Sequence, residues 1–235
     1  MKNKNKIALI GFNGFVGNII YKYLRIHNLN VIGINRANYN QYINNKFDLI
    51  INSAMPSKRF WAKKNPDLDY RETVIKTKAI LENWHFNKII HISSISARCQ
   101  KNTVYGVNKK LSEDLCLNYK NHLIVRLGPM YGPTLKKGVL VDLKNNKSVY
   151  YNGDSKYSFT NIDFIGNWIA SNLCLKGLIE IGSQNYITLR KLKEIINSKS
   201  EFEGPIDDQL IISKLNFYQD SYDVIKFINS LTFIY

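Results

Sequence analysis

Cysteine is scarce, acidic residues are few and no long apolar run exists, and each shortage narrows what the chain can be. The three cysteines, Cys99, Cys116 and Cys174, are odd in number and form no Cys-x-x-Cys pair. Neither a disulfide framework nor a zinc site is expected, and a reducing, cytoplasmic compartment is. No segment approaches the roughly 20 apolar residues of a membrane span. The start, MKNKNK, is basic, but the apolar run behind it breaks at Gly11 and Asn13 and shows neither signal-peptide length nor a cleavage site. Asp and Glu number 18 against 33 Lys and Arg, a net charge of +15 over 235 residues. Such an excess attracts anions. The lysines are scattered along the whole chain, however, with no Arg-rich helix and no interleaving of basic and aromatic residues. Nucleic acid is therefore not the expected partner, whereas phosphorylated, anionic small molecules are.

What is present fits one sizeable globular domain with a core, since 45% of residues are hydrophobic. Apolar runs alternate with amphipathic stretches. KIALIG reads as a buried strand, FVGNIIYKYLRIHN as a helix and LNVIGIN as a second strand. FDLIINSA, a long helix from about Pro66 to Trp84, KIIHISS, a helix through VYGVNKKLSEDLCLNY, and HLIVRLG continue the series. Strands that are apolar throughout and separated by helices imply a parallel sheet covered on both faces. The expectation is an α/β doubly wound sheet of Rossmann type over residues 1–128, with residues 129–235 adding further elements and a small C-terminal substrate lobe. In that tail GPMYGP is turn chemistry, VYYNG a short strand and turn, NIDFIGNWIASNLCL a helix, GLIEIGS a strand, and TLRKLKEII a helix capped by Thr188. No repeat and no flexible linker interrupts it.

Two groups of residues carry chemistry. At the first strand-to-helix junction stands GFNGFVG, with Gly11, Gly14 and Gly17. Residues without a Cβ let the backbone turn sharply and approach a pyrophosphate at a helix N-terminus, so the loop predicts a dinucleotide site. The second strand ends in Asn35 and Arg36, where an NAD site usually places a carboxylate for the ribose 2′-OH. A guanidinium there favours NADP over NAD.

The second group is Ser94, Tyr105 and Lys109. Tyr105 and Lys109 are four apart on a helix and share a face. Reduction of a carbonyl needs an acid at the oxygen, and a free Tyr, with a pKa of about 10, is poorly poised near neutrality. Lowering it by roughly three units takes about 4 kcal/mol. One ammonium near 4 Å supplies that order of energy at an effective dielectric of about 20. Lys109 is thus expected to depress the Tyr105 pKa. Ser94, at the end of a central strand, can donate to the same substrate oxygen.

With these motifs the chain resembles the extended short-chain dehydrogenase/reductases, the NAD(P)-dependent epimerase/dehydratase branch. GFNGFVG is similar to that family's GxxGxxG loop, DLIINSA to its fourth-strand segment, HISS to its strand end and YGVNK to its YxxxK. RLGPMYGP and SFTNIDFIGNWI resemble later family segments, and YGVNKKLSE resembles the nucleotide-sugar 4-keto reductases. The resemblance implies catalytic roles for Ser94, Tyr105 and Lys109. It implies a nicotinamide dinucleotide held by Gly11, Asn13, Gly14, Phe15, Gly17, Asn35, Arg36, Ala54, Tyr105 and Lys109. The expected activity is a 4-keto reduction on a nucleotide-linked deoxysugar. Alternatives are an epimerase or dehydratase on the same substrates, or a cofactor-binding sensor or scaffold without turnover, and a homodimer is possible. Two departures from the family stand out. The interval 37–47 is too short for the usual third strand with its helix, and the interval from Ser94 to Tyr105 is short.

Overall fold

The computed structural model describes residues 5–213, 215, 217 and 219–231. The chain divides into two compact units. One takes the described residues up to Leu127 together with Asp163–Ile179, and the other takes Gly128–Ile162 together with the described residues from Glu180 onward.

The first unit is built on strands β1 (Lys6–Ile10), β2 (Asn30–Ile34), β3 (Lys46–Asn52), β4 (His85–Ser94) and β5 (His122–Leu127). Two short strands, β6 (Met130–Tyr131) and β7 (Lys156–Tyr157), come next, then β8 (Thr160–Asn161), β9 (Gly177–Ile181) and β10 (Ile187–Thr188). The main sheet has six strands in the order β2-β1-β3-β4-β5-β9. The pairings of β1 with β2, β1 with β3, β3 with β4 and β4 with β5 are parallel. Every residue from Ile7 to Ile10 is buried, as are Ile50, Ile51, Ile89, Ile90, Ile124 and Val125, the pattern of strands covered on both faces. The expected doubly wound α/β sheet is present.

Helices α1 (Phe15–Ile26), α2 (Tyr39–Tyr42), α3 (Arg59–Lys64), α4 (Pro66–Tyr70), α5 (Lys76–Asn83), α6 (Ser96–Cys99) and α7 (Val104–Leu117) complete the crossovers. The long helix expected from Pro66 is α4 and α5 joined by a π-helical turn, Arg71–Ile75, with Pro66 at the start of α4, where its missing N–H costs nothing. The interval 37–47 holds only α2, so β2 is the edge of the sheet. In place of a further strand and helix, Tyr39 packs edge-on against Trp84 at 5.0 Å and accepts the indole N–H at 2.9 Å. Helix α9 (Ile162–Ser171), which follows α8 (Val139–Lys144) in the chain, joins this unit through Asp163, whose Oδ1 accepts from Lys22 Nζ at 2.8 Å and Tyr23 OH at 3.1 Å.

The second unit has its own core of Tyr131, Leu140, Leu143, Tyr157, Phe159, Leu189 and Val224. Strands β7 and β10 pair antiparallel, and β6 and β8 pair parallel. Helices α10 (Leu189–Ile195) and α11 (Asp223–Ser230) cover them, and Thr188 caps α10 as expected by accepting from Lys191 N at 3.2 Å. VYYNG departs from expectation: only Val149 makes a bridge, to Phe202. The extended run stops there because Asn152 turns the chain, its side chain accepting from Asp154 N at 2.9 Å and its carbonyl from Ser155 N at 3.1 Å.

Candidate active site

Chain order reverses between β1 and β3, since β2 lies on one side of β1 and β3 on the other. Such a switch point is where open parallel sheets bind ligands, at the carboxyl ends of the strands. The glycine loop follows β1 there, and Ser53 and Ala54 follow β3. Gly11 has φ of +88°, and a methyl added to it would lie 2.7 Å from Ala54 Cα. A methyl on Gly17 would lie 2.2 Å from the Gly11 carbonyl oxygen. Helix α1 can therefore seat against the loop only if both positions lack side chains. Gly14 is exposed and caps α1 without a side-chain hydrogen bond. The first N–H groups of α1 point out of the helix with no carbonyl of their own turn to meet them. A loop with no Cβ in the way, leading into a bare helix N-terminus, fits the pyrophosphate of a dinucleotide. Gly11→Ala is expected to cost roughly 1–3 kcal/mol of stability, the ordinary range for a damaging point change, and to abolish detectable NADPH and NADH binding by calorimetry. Unchanged binding would remove the loop from the cofactor site.

At the end of β2 the two polar residues part company. The Asn35 side chain accepts from Ala37 N at 2.9 Å and Asn38 N at 3.3 Å, while Asn38 Oδ1 accepts from Asn35 N at 2.8 Å. Asn35 thus builds the turn. Arg36 has 93% of its side chain exposed and lies 3.7 Å from Glu72 Oε2 of the π-helical turn. Sequence reasoning found no carboxylate at this strand end, yet the fold brings one from 36 positions away (72 − 36).

The second group converges as expected. Ser94 ends β4 and Tyr105 opens α7, and the two are joined by a side-chain hydrogen bond. The short interval between them is bridged by α6. Thr103 caps α7 by accepting from Gly106 N at 3.0 Å. Gly106 is required because a methyl there would lie 2.1 Å from the Gln100 carbonyl oxygen, so α6 and α7 meet backbone to backbone. The Lys109 ammonium stands 5.2 Å from the centre of the Tyr105 ring.

The electrostatics differ from the sequence expectation. Burial pushes the Tyr105 hydroxyl up to about 12, opposed by the charge of Arg59 and by the hydrogen bond with Ser94, and reinforced by Asp69. Burial likewise lowers the Lys109 ammonium to about 7, against the pull of Asp69 and Glu113. In the protein alone Lys109 does not depress the Tyr105 pKa, because the cost of burying either charge outweighs their interaction. Arg59, on α3, was not singled out by the sequence. Nor was Glu113, whose buried carboxylate accepts from Ser93 Oγ at 2.6 Å, Arg126 Nε at 2.9 Å and Arg126 Nη2 at 2.6 Å. Its place in YGVNKKLSE, four residues after Lys109, was the available signal.

This sheet, its switch point and the glycine loop define a dinucleotide-binding α/β protein of Rossmann type. Residues 7–162 match the model of the NAD dependent epimerase/dehydratase family, and the chain belongs to that family. Its members in the extended short-chain dehydrogenase/reductase group are enzymes that use a nicotinamide dinucleotide. No curated protein matches in sequence. Among solved structures, dTDP-4-dehydrorhamnose reductase from Bacillus anthracis in complex with NADP aligns with a TM-score of 0.74 at 16% identity, covering 97% of this chain and 100% of that one. Pal from Bacillus thuringiensis aligns at 0.74 and 18% identity, with 97% and 100% covered. UDP-glucose 4-epimerase from Thermotoga maritima with UDP-glucose aligns at 0.69 and 16% identity, with 91% and 90% covered. At these identities the likeness is one of fold. Among the described residues no helix is long and apolar enough to cross a membrane, and no group of His, Cys, Asp and Glu could hold a metal ion.

Proposed function

We propose that this protein is an NAD(P)H-dependent oxidoreductase that reduces the 4-keto group of a nucleotide-linked sugar. The observation that carries the reading is the convergence of Ser94, Tyr105 and Lys109 at the carboxyl end of β4, on a fold whose glycine loop suits a dinucleotide. When bound, the nicotinamide supplies a hydride to the sugar carbon. Ser94 holds the carbonyl oxygen by donating a hydrogen bond. Tyr105 gives its proton to that oxygen as negative charge develops there. A hydroxyl held near 12 stays protonated at neutral pH, which is the state that reduction requires and oxidation does not. The Lys109 ammonium, beside the Tyr105 ring, stabilises the tyrosinate left behind. Family relatives with UDP-glucose or as dTDP-4-dehydrorhamnose reductase support a nucleotide sugar as the substrate.

The test is a panel of 4-keto and unmodified nucleotide sugars with NADPH or NADH, following nicotinamide absorbance and product together. Consumption of reduced cofactor mole for mole with a keto sugar is the expected result. Isomerised sugar with a tightly held cofactor and no net absorbance change would replace this reading with epimerisation. Cofactor binding without turnover of any sugar would leave a sensor.

Arg36 favours NADP, and Glu72 beside it opposes a 2′-phosphate. Arg36→Ala is expected to weaken NADPH more than NADH by roughly 1.5–3 kcal/mol, the scale of a hydrogen bond to a charged group. Glu72→Gln is expected to shift preference the other way, towards NADPH. Titration calorimetry with both cofactors decides it, and equal effects on the two would return Arg36 to the solvated surface.

A further inference from the structure

We infer that Asp69 is the positioning residue that keeps the Lys109 side chain charged beside Tyr105. The inference rests on the reading of Tyr105 and Lys109 given above. Asp69 lies on α4 and is fully buried. Its Oδ2 accepts from Asn108 Nδ2 at 2.8 Å, and its Oδ1 has no hydrogen-bond partner among the described residues. A carboxylate buried with half its acceptor capacity unmet is expensive unless a cation answers it. Asn108 precedes Lys109 in α7, so the hydrogen bond that fixes Asp69 also ties α4 to the helix that carries the lysine. Lys109 is only 3% exposed, and water cannot stabilise its charge.

The groups facing Lys109 can be taken in turn. His91 of β4 is buried and lowered to about 3, by burial first and by Lys109 second, so it is neutral and supplies no anion. Its ring contacts Ser112 Oγ at 3.1 Å and Asn52 Nδ2 at 3.4 Å. Tyr105 remains protonated near neutrality, and Arg59 of α3, which acts on Tyr105, is a cation. Glu113 favours the ammonium but is engaged by both guanidinium nitrogens of Arg126 and by Ser93. Asp69 is the strongest influence that favours the charged lysine. The effect is mutual: burial raises the Asp69 carboxyl above the usual range, while Asn108 and Lys109 pull it back.

The sign follows directly. Lys109 titrates close to neutrality, so loss of its main anionic neighbour lowers its proton affinity and leaves it uncharged at pH 7. Tyr105 then has no adjacent cation when it gives up its proton. A packing role for Asp69 would leave the Lys109 titration where it is.

Carbon-13 NMR of protein labelled at lysine Cε reads this directly, with the Lys109 resonance identified by its absence in Lys109→Met. In Asp69→Asn the Lys109 midpoint is expected to fall by at least about one pH unit, the lower end of what one nearby opposite charge does. Asp69→Glu is expected to recover most of that shift. An unchanged midpoint in an Asp69→Asn protein with the parent's circular dichroism overturns the inference. Should Asp69→Asn fail to fold, the reciprocal measurement replaces it: Lys109→Met must raise the midpoint of Asp69 Cγ, because coupling between two sites is mutual. An unmoved Asp69 also overturns the inference. Neither titration uses a substrate. A shifted midpoint with no keto sugar reduced would uphold the Asp69–Lys109 pair and sink only the reductase reading.

Discussion

Tyr105→Phe is expected to lower turnover by about 10²- to 10⁴-fold, the usual share of acid/base catalysis, while leaving cofactor affinity close to that of the parent. The substitution keeps the ring that lies 5.2 Å from the Lys109 ammonium and removes only the hydroxyl. It also removes the hydrogen bond with Ser94, so Ser94 is left to hold a substrate oxygen without a neighbour that can protonate it. Single-turnover rates at saturating cofactor and sugar isolate the chemical step from binding and release. A parent-like rate in that assay would mean that another group donates the proton and that this account of the site fails. A loss confined to KM would make Tyr105 a binding residue.

The second large effect is one of stability. Glu113→Ala is expected to cost about 3–5 kcal/mol, the usual penalty for removing one member of a buried ion pair. Arg126, with 10% of its side chain exposed, would be left with its charge uncompensated. Three strands of the argument meet at this carboxylate, since Ser93 belongs to β4, Arg126 to β5 and Glu113 to α7. The clamp therefore fixes the helix of Tyr105 against the strand of Ser94. Urea unfolding of the two proteins provides the measurement. A loss below about 1 kcal/mol, the scale of an exposed pair, would show that the network contributes little to the fold. Glu113→Gln keeps the shape and some of the hydrogen bonds, and a smaller loss is expected from it.

The elements that lay in the sequence to be read are those governed by short-range pattern. Runs such as KIALIG and KIIHISS are apolar at both parities, which marks a strand buried on two faces. The spacing of Tyr105 and Lys109 survives because a helix turns 3.6 residues at a time whatever surrounds it. Thr188 caps its helix for equally local reasons. What escaped are contacts made by folding distant segments together. Asp69 and Asn108 stand 39 apart and Glu113 and Arg126 13 apart, and each charge read singly resembles an ordinary solvated side chain. Glu72 reaches Arg36 only because a π-helical turn places it there. The Tyr105 hydroxyl moved opposite to expectation for a related reason: a sequence shows that a lysine is near but not that both groups are desolvated. Asn35 was assigned to the cofactor on its position alone, although its side chain oxygen is already committed to the turn.

Because β2 has no strand beyond it, the main sheet ends there in an open hydrogen-bonding edge. Such an edge is a template on which another chain can pair. The fold blunts it in two ways: the strand is five residues long, and Asn38 Nδ2 occupies the Gly33 carbonyl at 3.1 Å. Colloidal repulsion adds a third protection, since every copy carries a net charge of +15. That protection depends on the medium, because the screening length falls from about 10 Å at 0.1 M salt to about 3 Å at 1 M. The scattered lysines, which are not arranged for nucleic acid, thus acquire a physical role as a solubility reserve for a sheet with an exposed flank.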